Sequence, residues 1–149
     1  MYTIQAFLAK RGSFPHQLPD QLTSIQLNQD IEMIPIGAAM QERYGIPELP
    51  LMDDRTIELP PSLLELCRQL SDTGKIAYIE AEIFGGVGAQ AYVYAEMGKV
   101  GAFVAGDRAI NAALLLLGVV PKPGFDAFDS VGLGQNRSVD GWLNSATAR

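Results

Sequence analysis

From Lys75 to Phe84 the side chains alternate. Ala77, Ile79, Ala81 and Ile83 fall on one side of an extended chain, and Ile76, Tyr78, Glu80 and Glu82 on the other. Gly85, Gly86 and Gly88 follow, and then Gln90 to Glu96, rich in β-branched and aromatic residues. Met97-Gly98-Lys99 reads as a second turn, leading into Val100 to Ala105. Strands joined by links this short pair antiparallel, because a parallel pair needs a crossover of about a dozen residues or more. An antiparallel meander is therefore expected here, and the rest of the chain has to cover its apolar side. The side bearing Glu80 and Glu82 reads as the wet face of that sheet.

The remaining segments supply the cover. Thr3 to Ala9 reads as a further strand, and Ser24–Leu27 with Ile31–Ile36 as a hairpin turning at Asn28-Gln29-Asp30. Ala38 to Tyr44 forms a short helix that Gly45 ends. Pro47, Pro50, Pro60 and Pro61 mark an irregular surface excursion, and Pro61 sits where proline suits a helix start. In that helix Leu63, Leu66, Cys67 and Leu70 make one apolar stripe, and Gly74 stops it. A helix capped by Asp107 carries Ile110, Ala113, Leu114 and Leu117 as its core stripe, widened by Leu115 and Leu116, so it is expected to be well buried. A short helix ends at Gly132, and Ser138 caps a last one bearing Trp142. The expectation for residues 1–149 is one α+β domain: an antiparallel sheet of about five strands with three or four helices packed mainly on one face.

Charge limits the function classes. The formal net charge is −6, and residues 20–82 hold twelve of the seventeen acids but only four of the eleven bases. Such a field repels nucleic acid, and no basic stripe with interleaved aromatics exists to oppose it. A basic protein partner is compatible with it, and the plainer reading is that moderate acidity aids solubility. No apolar run approaches the roughly 18 residues of a membrane span. Lys10 and Arg11 follow the first apolar run instead of preceding it, unlike a secretory signal. With a single cysteine, Cys67, the expected compartment is the cytoplasm.

Few residues carry chemistry. Gly86-Val87-Gly88-Ala89-Gln90-Ala91 matches G-x-G-x-x-A in form, but that fingerprint works by aiming a helix N-terminus at a pyrophosphate. Here a β-rich run follows, so the glycines read as a bend between antiparallel strands. Glu80 and Glu82 share a strand face about 7 Å apart by the strand rise, a separation at which carboxylates run acid–base chemistry or hold a hard cation. His16 is alone and Cys67 falls on a packed stripe, so neither a zinc site nor a thiol nucleophile is expected. Asp126, Asp129, Asn136 and Asp140 do not have the spacing of a calcium loop. Arg137 beside them suits a carboxylate or phosphate ligand, or an ion pair that docks the tail. No cofactor, metal or catalytic residue is assigned.

Glu80-Ala81-Glu82-Ile83-Phe84-Gly85-Gly86-Val87-Gly88-Ala89-Gln90-Ala91, Ile110-Asn111, and Phe128 to Gly134 with Arg137 and Trp142 together resemble an uncharacterised family of small bacterial proteins. The resemblance covers residues 75–143 and implies a stand-alone domain and no catalytic residue. In size, charge and layout the chain also resembles the small acidic immunity proteins that neutralise toxins.

Three readings follow. The first is a non-enzymatic protein-binding module, immunity-like, that meets a basic partner through Asp53, Asp54 and Glu58. The second is a small-molecule or metal-binding enzyme built on Glu80 and Glu82 beside Gly85, Gly86 and Gly88, with Arg137 assisting. The third is a homo-oligomer, a dimer included, joined through a sheet edge or the Tyr92/Tyr94 face.

Overall fold

The computed structural model describes residues 1–147. Its sheet is antiparallel throughout, with β1 (Tyr2–Lys10) and β4 (Lys75–Phe84) at its centre. Outward from β1 lie β3 (Ile31–Pro35) and then β2 (Ile25–Gln26). Outward from β4 lies β5 (Val87–Glu96), flanked by two short strands, β6 (Lys99–Val100) and β7 (Val104–Ala105). The expected α+β class with an antiparallel sheet is what the chain adopts. Seven strands form, because the run from Val100 to Ala105 breaks into two pieces and β2 pairs for only two residues.

The helices lie on both faces, not mainly on one. On one face Ile4, Ala6, Leu8, Ala77, Ile79 and Ala81 meet α3 (Ala109–Leu116), α4 (Ala127–Val131) and Trp142 of α5 (Val139–Thr147). On the other, Phe7, Ile34, Ile76, Tyr78 and Val93 meet α2 (Pro61–Leu70), with Met40 and Tyr44 of α1 (Ala38–Tyr44) at the margin. The α2 stripe behaves as its spacing predicts: Leu63, Leu66, Cys67 and Leu70 are all buried. Burying each leucine stabilises the fold by roughly 1.5–3 kcal/mol. In α3 the core stripe is buried, but Leu115 and Leu116 are 54% and 46% exposed, and Arg108 stands at the cap position in place of Asp107. An eight-residue helix lying on one sheet has a single inward face, so the widened stripe turns outward.

The glycines of the β4–β5 hairpin have their strand-turn role. Phe84 pairs with Val87, leaving Gly85 and Gly86 as a two-residue turn with φ of 56° and 81°. Positive φ at both positions is the turn whose twist matches antiparallel strands, and glycine adopts it freely. Gly88 is needed for a different reason: a Cβ there would lie 2.2 Å from the carbonyl oxygen of Glu82.

Candidate functional site

The face expected to be wet is covered. Ile76, Tyr78 and Glu80 have no exposed surface. Residues 46–60 run across this end of the sheet, holding Ile46, Leu49 and Leu51 inward and forming a 3-10 turn at Pro50–Met52. Leu49 enters that turn in the left-handed region, at φ 44°, which a branched side chain adopts only under constraint. A loop crossing a buried surface leaves main-chain groups that have to find partners. Two side chains beneath it, Gln5 and Glu80, provide partners, and Tyr78 joins the two.

Gln5 stands opposite Glu80 on β1, and Phe7 opposite Tyr78, so all four project to the same side. The Gln5 amide donates to the Pro47 carbonyl at 3.0 Å and to the Tyr78 hydroxyl at 2.9 Å. Its oxygen accepts from Gln41 at 2.9 Å and from the Leu49 N–H at 3.4 Å. Both donors and both lone pairs are thus engaged. The Tyr78 hydroxyl donates a hydrogen bond to Glu80 Oε2 at 2.5 Å, and Glu80 Oε1 accepts the Leu51 N–H at 2.9 Å. No lysine or arginine among the described residues pairs with Glu80. Burial pushes its carboxyl up to about 7, against the pull of the hydrogen bonds from Tyr78, Leu51 and Met52. Burial, with Glu80 beside it, also holds the Tyr78 phenol well above its usual range.

Glu82 is half-buried near the end of the strand, opposite Thr3. The Thr3 N–H donates to the Arg137 carbonyl at 2.9 Å, which brings the chain before α5 against β1. There a cleft of about 440 Å³ opens, lined by Thr3, Gln5, Gln41, Glu48, Arg137 and Asp140 among others. Glu80 forms no part of its lining, and the glycine turn begins about 10 Å along the strand from Glu82. Arg137 therefore lines a cleft that includes neither Glu80 nor Glu82, and Gly85, Gly86 and Gly88 belong to the hairpin.

The acidic loop residues face outward. Asp53 is gripped by Arg55 at 3.1 Å, and this hydrogen-bonded pairing holds its carboxyl below the usual range. Asp54 and Glu58 are exposed, and between them Ile57 is 84% exposed. Cys67 is buried and its thiol pushed up to about 12 by desolvation, as a packed core residue would be. His16 lies exposed in its loop. Among the described residues no three His, Cys, Asp or Glu side chains gather as a metal site would require, and no helix is long and apolar enough to cross a membrane.

The sequence reading did not single out Gln5. Its signal is a lone glutamine inside the apolar run Ile4 to Ala9, on a strand with no wet face to place it on. Compared with protein-family models, with curated proteins and with solved structures, the chain matches none.

Proposed function

We propose that the protein is a non-enzymatic binding module that presents the loop at residues 47–60 to a basic protein partner. The observation that carries this is the buried Gln5–Tyr78–Glu80 network, which takes hold of the loop at Pro47, Leu49 and Leu51. A loop clamped from beneath loses little freedom on docking, and this preorganisation favours affinity. Its outer side carries Asp54, Glu58 and the exposed Ile57, an apolar point within an acidic rim, the pairing of anchor and charge that recognition surfaces use. The enzyme reading draws less support, because both oxygens of Glu80 are occupied and the side chain is out of reach of solvent. The likeness to small acidic immunity proteins fits the same reading, and a basic toxin is the partner it suggests.

Capture from a cell lysate tests it, with the native chain set against Asp53→Lys/Asp54→Lys/Glu58→Lys and, separately, Ile57→Ala. A basic protein held by the native chain, released by salt and lost with both variants is the expected result. Equal recovery by native and variant chains would overturn the assignment to this loop.

A further inference from the structure

The cleft between β1, α1 and α5 takes Glu48 and Leu49 of the loop into its lining but none of Asp53, Asp54, Ile57 and Glu58, the residues of the proposed docking. Its lining carries charges of both signs. Arg137 projects from the segment whose carbonyl is tied to the Thr3 N–H, so its guanidinium springs from beside β1. That guanidinium is exposed and forms no ion pair among the described residues. Thr3, which also lines the cleft, has its Oγ1 buried and without a hydrogen-bond partner, closed to a ligand in the cleft. Glu48, on the loop, and Asp140, in the first turn of α5, both line the cleft, are exposed, and enter no ion pair among the described residues. Asp140 Oδ1 reaches to 3.9 Å from where a Cβ on Gly37 would stand, so this carboxylate lies over the start of α1. The Gln5 amide lies beneath, 1% exposed, with every hydrogen-bonding position taken. It therefore forms a fixed floor that makes no further polar contact.

We propose that this cleft binds a small zwitterion, an amino acid or dipeptide, with its carboxylate on Arg137 and its ammonium toward Glu48 and Asp140. A planar guanidinium binds a carboxylate by donating two parallel N–H bonds. The volume, about 440 Å³, falls within the range of small-ligand clefts. Opposed charges at the two ends discriminate by two-point attachment. A ligand with one charge satisfies one end and leaves the other as it was, so each missing end lowers affinity.

The test is a titration of the full-length chain, followed through its amide and side-chain N–H resonances, with glycylglycine, alanine, acetate and ethylamine in turn. Saturating shifts confined to Thr3, Gln41, Arg137 and Asp140 are expected. The two zwitterions should bind about tenfold or more tighter than acetate or ethylamine. Arg137→Gln should weaken the zwitterions and acetate about tenfold and leave ethylamine unchanged, and Asp140→Asn should weaken the zwitterions and ethylamine and leave acetate unchanged. Both positions are exposed, so an unaltered spectrum elsewhere certifies the fold. Acetate binding as tightly as glycylglycine would overturn the two-ended site, as would shifts that never saturate or that survive Arg137→Gln. The loop variant Asp53→Lys/Asp54→Lys/Glu58→Lys should titrate as the native chain does, so failure here and failure of the docking reading are separate results.

Discussion

Glu80→Gln should change how stability depends on pH, by an amount that follows from the geometry. The Glu80 carboxyl titrates near 4.5 in a solvated chain and is raised to about 7 in the fold. With the folded value above the unfolded one, the native state holds more protons than the unfolded chain between these two pH values. Stability from this group is then fully present below about pH 4.5 and is lost as pH rises through about 7. At 1.36 kcal/mol for each pH unit of difference, the full change is about 3 kcal/mol. Glutamine keeps the shape and an acceptor for the Leu51 N–H but does not titrate. It cannot accept the Tyr78 proton as the carboxylate does, which adds an offset of about 1 kcal/mol that does not vary with pH. Urea unfolding of both chains at intervals from pH 4.5 to 8.5 measures the effect. The other carboxylates contribute equally to both proteins and cancel in the difference. The difference curve should move by about 3 kcal/mol in favour of the variant as pH rises, with most of the change between about 4.5 and 7. A flat curve would refute the assignment of a buried, unpaired carboxylate beneath the loop.

Other perturbations test the packing. Gly88→Ala would set a Cβ 2.2 Å from the Glu82 oxygen and 2.5 Å from Ile83 Cα, both backbone atoms that cannot swing aside; thermal unfolding should register a loss of about 1–3 kcal/mol. Leu114 is fully buried and Leu115 is 54% exposed, so chemical denaturation should show Leu114→Ala costing about 2–5 kcal/mol and Leu115→Ala about 0.5 or less. Cys67, buried and with its thiol raised, should resist a thiol reagent at pH 8 until denaturant is added, and labelling at the rate of an exposed thiol would contradict its place in the α2 stripe.

Much of the fold was legible because local signals and tertiary packing agreed. The apolar stripe on α2, the Asn28–Asp30 turn, the stop at Gly45 and the Gly85-Gly86 turn each rest on a rule that the neighbouring residues did not contradict. The site was legible only in part. Alternation identified Glu80 and Glu82 as neighbours on one face, but a strand pattern cannot say whether a loop whose Leu51 lies 29 positions earlier will cover that face. Two features argued for cover in advance: Ile76 and Tyr78 share the side with Glu80, and the proline-dense loop needs partners for its main chain. Leu115 and Leu116 misled in the opposite sense, since a hydrophobic run reads as buried all round when the helix has only one surface to lie on. That Arg137 meets Thr3 depends on the approach of α5 to β1, which no local pattern encodes.

The order of the strands also sets when the chain is vulnerable. The flanking strands β2 and β6 are two residues long, and β3 next to β2 ends in Pro35, which has no N–H to donate. Once folded, the sheet is a poor template for another chain to extend. The outer side of β5, as long as β4, is covered by β6 and β7, and the long strands β1 and β4, with their apolar runs prone to stack on copies of themselves, are sealed at the sheet's centre. Yet Gln5 and Tyr78, which join them, are 73 positions apart. During synthesis β1 emerges long before β4 exists to shield it, and pairing over such a separation is slow. The hazard of polymerisation is moved from the finished molecule to the nascent one, where the speed of translation and the company the chain keeps decide the outcome.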